Sequence, residues 1–135
     1  VEMNFQNQME KQNKLRNLKN KLHDKVKSQI NDAKINTPED AHTAPHILNV
    51  SFPGLKGELL LRQLESRGVY VSTGSACTSG NNRPSHVLGA MGLEKKTVEG
   101  ALRFSFSVFN RMEQVDYTVD ALVAAVNKLK KMAKL

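Results

Sequence analysis

The chain has 135 residues, a formal net charge of +7 and a 39% share of hydrophobic residues, with one cysteine and no tryptophan. This length suits one domain or a piece of one. The sequence has no run of about 18 apolar residues that could span a membrane, so we expect no membrane partner. The single cysteine excludes an internal disulfide and favours a cytoplasmic protein, and the four histidines show no paired spacing that would predict a metal site.

A long N-terminal helix is predicted over residues 3–31, because apolar residues recur three or four positions apart along one side. The members of this stripe are Met9, Leu15, Leu18, Leu22, Val26 and Ile30. Lysines take much of the other side, and lysines on one side of a helix are usually a solvated face. A nucleic-acid surface would interleave basic with aromatic residues, which make up 5% of the chain. We therefore expect no nucleic-acid partner despite the positive charge.

The next part of the chain is predicted to alternate strands and helices. Residues 31–44 have the turn chemistry of a linker. Residues 46–52 alternate apolar and polar side chains, which is typical of a strand with one buried face. A helix over 58–67 is expected to end at Gly68, and a short strand follows over 69–71.

Residues 72–80 are predicted to form a loop of small polar residues around Cys77, the only cysteine. Such a loop contributes little to a core, but its glycines and hydroxyls let it carry a thiol outward. Pro84 fits the first position of a helix that ends at Gly92, and a further short helix is expected over 94–99.

Two strong elements end the chain. Residues 101–107 are predicted to form a strand with alternate apolar residues on one face. Residues 112–132 form the clearest predicted helix, whose C-terminal lysines suit the negative end of the helix dipole. The order of elements predicts an α+β fold, in which helices cover one face of a small antiparallel or mixed sheet of about three strands.

Five short motifs occur in one order along the chain. They are HILNVSFPG at 46–54, GELL at 57–60, SACTSG at 75–80, PSHVL at 84–88 and LRFS at 102–105. From about residue 45 to residue 132 this series resembles the C-terminal part of cysteine desulfurases of the NifS/IscS-like group. That group belongs to the class V aminotransferases, which are pyridoxal-phosphate enzymes of fold type I.

The resemblance implies a division into an interdomain helix, residues 1–35, and a small C-terminal domain, residues 36–135. It implies that L-cysteine gives its sulfur to Cys77 as a persulfide, leaving L-alanine, and that Arg103 binds the substrate carboxylate. The sulfur would pass to an acceptor or scaffold protein for iron–sulfur clusters or thio-cofactors. The full-length enzyme would be a homodimer with pyridoxal phosphate on a large domain that this chain lacks. We expect the fragment alone to bind no cofactor and to be inactive.

The chemistry of the residues agrees with these roles, although alternatives stay open. A reactive Cys77 must be a thiolate, and His86 and Arg83 are nearby in sequence as candidate partners. Arg103 offers two parallel donors to a carboxylate, but the residues alone also allow a structural ion pair with Glu99 or Asp116, and such pairs are commoner than ligand sites.

One departure from the family concerns the end of the Arg103 strand. Ser107 and Val108 stand where family members commonly have glycine and arginine, so no second arginine is expected to act there. Other functions compatible with the pattern are a selenocysteine lyase, another class V transferase, or a non-catalytic thiol-relay or interaction domain.

Overall fold

The computed structural model describes residues 5–38, 44–73 and 98–133. Their helices and strands, in chain order, are α1 (Phe5–Gln29), β1 (Lys34–Ile35), β2 (Ile47–Ser51), α2 (Gly57–Glu65), β3 (Ser72–Thr73), β4 (Ala101–Ser105) and α3 (Met112–Ala133). The three long predicted helices and the two longer predicted strands are therefore present. The predicted helix between Pro84 and Gly92, and most of the one over 94–99, lie outside the described residues.

The four described strands form one antiparallel sheet in the order β1-β2-β4-β3. This confirms the predicted α+β class. Strand β1 lies within the stretch that was predicted to be a linker. The sequence did not indicate it, because a strand of two residues is too short to show a periodic pattern. Its pairing with β2 places Lys34 opposite Ser51 and continues through a hydrogen bond from the Asn36 backbone N–H to the Asn49 carbonyl, 2.9 Å.

Strand β3 begins at Ser72, three residues later than the strand expected over 69–71. Val69 is buried, and its backbone N–H donates to the carbonyl of Leu64 at 2.9 Å. Gly68, which has a positive φ of 79°, makes the turn that permits this bond. The valine therefore completes the C-terminal end of α2, and the chain pairs with β4 only after it.

The core lies between one face of the sheet and the three described helices. The sheet contributes Leu48, Val50, Leu102 and Phe104, and the helices contribute mainly Leu18, Leu22, Val26, Leu60, Leu64, Val115, Val119, Leu122 and Val126. Only the later part of the α1 stripe joins this core. Met9 is 48% exposed, and residues 6–14 of α1 are all exposed.

The turn into β4 depends on a close approach of two backbones at Gly100. Its carbonyl accepts a hydrogen bond from the Phe52 N–H, 2.9 Å. A Cβ atom at position 100 would lie 2.3 Å from the carbonyl oxygen of Phe52 and 2.9 Å from that of Leu55. Because both obstacles are backbone atoms, a side chain here requires the two segments to separate.

We expect Gly100→Ala to lower the free energy of unfolding of the chain by about 2–3 kcal/mol, the cost of forcing backbone shifts in a packed region. Urea denaturation monitored by circular dichroism measures this change. Gly68→Ala is the matched control, because a Cβ there meets nothing within 4 Å and adds only the strain of its positive φ, about 1 kcal/mol. Equal losses of stability in the two variants would contradict the packing argument.

Candidate functional site

Arg103 lies at the centre of the sheet, on the face opposite the core. Along β4 the buried Leu102 and Phe104 alternate with the exposed Arg103 and Ser105. Since side chains alternate between the faces of a strand, Arg103 extends from the face that the described helices do not cover. Strand register places it directly opposite Asn49 of β2 on one side and opposite Ser72 of β3 on the other. Its surroundings are therefore polar.

The Arg103 side chain makes no ion pair and no hydrogen bond within residues 5–38, 44–73 and 98–133. Asp116, one of the carboxylates considered as its partner, is instead bound by Lys21 at 3.2 Å and by Lys25. The hydrogen bonds from Lys25 and Lys21 lower the pKa of Asp116 below its ordinary value of 3.8. The sequence left open a structural ion pair between Arg103 and Asp116, and that interpretation is wrong. The exposed Arg103 side chain keeps its donors available to a ligand.

The polar neighbours of Arg103 are held by a hydrogen-bond network that the sequence did not predict. Asn36 Nδ2 donates to Asn49 Oδ1 and to Ser51 Oγ, each at 2.7 Å. The Asn49 backbone N–H donates to Thr37 Oγ1, also at 2.7 Å. Ser51 is fully buried, so the network ties Asn49 to a buried part of the sheet. The only sequence signal was a polar residue at an alternating position of β2, which is also what solvent exposure would give.

Cys77 lies outside the described residues, as do Arg83 and His86. The described chain nevertheless limits how far the cysteine can be from Arg103. Strand β3, which pairs with β4 beside Arg103, ends at Thr73, four residues before Cys77. A fully extended chain spans about 3.6 Å per residue, so the Cα atom of Cys77 is within about 15 Å of that of Thr73. Cys77, the only cysteine of the sequence, therefore follows within four residues of the strand that pairs beside Arg103.

A cavity of about 410 Å³ opens near the other end of β4, between β4, the end of α2 and the start of α3. Valine and phenylalanine side chains supply much of its lining, including Val69, Phe104 and Val115, and its one charged residue is Glu113. It has neither the lysine that would form a Schiff base with pyridoxal phosphate nor a cation for the phosphate. The lining of this cavity therefore does not fit this cofactor. None of the described helices is long and apolar enough to cross a membrane.

Comparison with known proteins shows similarity to one protein family and to several named relatives. The family model described as aminotransferase class-V matches residues 2–118. Cysteine desulfurase IscS of Clostridium botulinum is 37% identical over 136 residues, which cover 100% of this chain and 34% of the relative. Cysteine desulfurase IscS of Vibrio vulnificus is 42% identical over 118 residues, which cover 87% of this chain and 28% of the relative. The chain thus spans about a third of the length of the curated relatives it matches.

Solved structures agree with the sequence comparison. A structure described as a NifS-like protein superimposes with a TM-score of 0.74 at 31% identity, covering 88% of this chain and 29% of that one. Cysteine desulfurase CsdA from Escherichia coli superimposes with a TM-score of 0.66 at 21% identity, covering 86% and 25%, and supports the fold alone. The family match over most of the chain, together with this shared fold, shows that the chain belongs to the class-V aminotransferase family.

Proposed function

We propose that the chain is the C-terminal part of a cysteine desulfurase, which takes sulfur from L-cysteine and leaves L-alanine. In this proposal residues 1–35 are the interdomain helix and residues 36–135 are the small domain that carries the cysteine loop. The observation that carries it is the position of Arg103, which is exposed at the centre of the sheet without a carboxylate partner among the described residues. The names of the IscS relatives supply the reaction class.

Arg103 has the chemistry of a carboxylate-binding residue. Its guanidinium is always charged and presents parallel N–H donors that match the two oxygens of a carboxylate. Strand β4 is one of the two inner strands of the described sheet, so neighbouring strands restrain its backbone from both sides and the side chain starts from a fixed point. L-Cysteine carries a carboxylate three bonds away from its sulfur. Binding at Arg103 therefore orients the sulfur as well as holding the substrate.

Cys77 is the proposed sulfur acceptor. Its thiolate Sγ attacks the sulfur of L-cysteine, an S–S bond forms, and the carbon–sulfur bond of the substrate breaks. The electron pair of the broken bond stays on the substrate carbon, which is protonated to give L-alanine, while the sulfur remains on Cys77 as a persulfide. Family members use pyridoxal phosphate as the electron sink for this chemistry. The cavity described above does not have the lining for it, and we propose that another part of the full-length protein binds it.

The full-length protein also needs a partner that accepts the sulfur. A persulfide is useful only if a second thiol can take the sulfur, so the full-length protein requires an acceptor or a scaffold protein for iron–sulfur clusters or thio-cofactors. We also propose that the full-length enzyme is a cytoplasmic homodimer, and that the 135-residue chain by itself binds no cofactor and is inactive.

The test is the product analysis of the full-length protein loaded with pyridoxal phosphate. With L-cysteine and a thiol reductant, it is expected to release L-alanine and sulfide in equal amounts. Selenide release from L-selenocysteine without comparable turnover of L-cysteine would favour a selenocysteine lyase instead. Failure to produce L-alanine from either substrate would contradict both enzyme functions and would favour a non-catalytic thiol-relay or interaction domain.

A further inference from the structure

Asn49 and Arg103 form one surface on the exposed face of the sheet. They are direct cross-strand partners on β2 and β4. Directly opposite residues in an antiparallel pair have Cβ atoms about 4.5–5.5 Å apart. Because a pair of opposite residues points to the same side of the sheet, the Asn49 amide and the Arg103 side chain lie side by side on this face, where one ligand can contact both.

The orientation of the Asn49 amide follows from its partner Asn36. The two hydrogens of the Asn36 amide go to Asn49 Oδ1 and Ser51 Oγ, each at 2.7 Å. An amide nitrogen is a donor and an amide oxygen is an acceptor. The bond from Asn36 therefore shows that Oδ1 is the Asn49 atom that faces Asn36. The amide nitrogen of Asn49 then points away from Asn36, and it makes no hydrogen bond within the described residues.

The two groups together have the chemistry of a carboxylate site. Asn49 Nδ2 and the Arg103 guanidinium are both donors, and neither meets an acceptor in the described part of the chain. A carboxylate has two oxygens and about four acceptor positions, so it can take a forked pair of bonds from arginine and a further bond from an amide. A neutral ligand would leave the guanidinium uncompensated.

We propose that Asn49 is a second binding residue for the substrate carboxylate, held by Asn36 so that its amide nitrogen supplements the guanidinium of Arg103. This inference rests on the proposed function, because it takes the carboxylate to be that of an amino-acid substrate. It assigns Asn36 a positioning role: the Asn36 side chain contacts Asn49 and Ser51 and acts on the ligand only through them.

The ligand pair that tests this inference is L-alanine and ethylamine, measured by calorimetric titration of the full-length holoenzyme. They differ only by the carboxylate, and neither contains sulfur that could be transferred. Asn49→Ala is expected to weaken L-alanine binding about tenfold, the value of one hydrogen bond to a charged group, and to leave ethylamine binding unchanged. Asn127→Ala, an exposed asparagine on α3, is the matched control and should change neither.

Asn49→Asp separates binding from a purely structural role. The aspartate still accepts the hydrogen bond from Asn36, but it has no amide hydrogens and places a negative charge beside Arg103. We expect it to weaken L-alanine binding more than Asn49→Ala does, and not to weaken the binding of ethylamine, which has no carboxylate for the new charge to repel.

Two results would overturn the inference in different ways. If Arg103→Lys removes the preference for L-alanine but both Asn49 variants keep it, or weaken both ligands alike, Asn49 is structural and the proposed function stands. If the wild-type protein shows no preference for L-alanine over ethylamine, the carboxylate site fails, and both the inference and the proposed role of Arg103 fall.

Discussion

Replacing Cys77 with alanine in the full-length enzyme is expected to reduce sulfur transfer from L-cysteine by at least about a thousandfold, because the variant lacks the proposed thiolate nucleophile. Cys77→Ser is expected to be equally inactive, since a serine hydroxyl is not ionised near neutral pH. The measurement is the initial rate at which radioactive sulfur from L-cysteine appears on an added acceptor thiol. Loss of activity in both variants would assign the effect to the thiolate rather than to side-chain size.

The absorbance of bound pyridoxal phosphate provides the control for the Cys77 variants. Cofactor binding is assigned to another part of the protein, so the absorbance should match that of the wild type. An inactive variant that has also lost the cofactor would say nothing about sulfur transfer and would require reconstitution before the rate is measured again. Undiminished transfer in a cofactor-loaded Cys77→Ala enzyme would show that Cys77 is not the carrier.

The second large effect is expected at Arg103. Arg103→Ala should raise the KM for L-cysteine, with kcat/KM falling about a hundredfold, because the substrate carboxylate loses its charged partner. Arg103→Lys should recover only part of this loss, since an ammonium group keeps the charge but not the two parallel donors. Steady-state kinetics over a wide range of L-cysteine concentrations measure both changes.

Arg62→Lys is the matched control for Arg103→Lys. Arg62 is an exposed arginine on α2, with no ion pair among the described residues, and its replacement should leave KM and kcat unchanged. If the Arg103 variants saturate at the same L-cysteine concentration as the wild type, Arg103 does not bind the substrate carboxylate. A change in kcat alone would lead to the same conclusion.

Much of the fold was predictable because it depends on periodicity. Helices α1 and α3 are long enough for their apolar residues to show the helical period of 3.6 residues. Strands β2 and β4 are long enough to show the strand period of two residues. Strand β1 was missed for the opposite reason, because two residues contain no period and its pairing depends on Asn36. The late start of β3 was missed because Val69 looks like a strand residue but completes the end of α2.

The site was predictable only in part. The alternation in β4 placed Arg103 away from the core, and the motif resemblance gave it a role, yet the sequence could not exclude an ion pair with Asp116. Only the packing of α1 against α3 shows that Lys21 and Lys25 take that carboxylate. Asn49 was missed because its distinguishing feature is strand register with Arg103, and register is a property of two distant segments.

The proposed function requires that Cys77 holds the transferred sulfur as a persulfide. The most direct test is mass spectrometry of the full-length enzyme after brief exposure to L-cysteine, followed by alkylation and digestion without reductant. We expect one additional sulfur atom on the peptide that contains Cys77, and we expect a thiol reductant to remove it. Formation of L-alanine with no additional sulfur on that peptide would contradict this expectation.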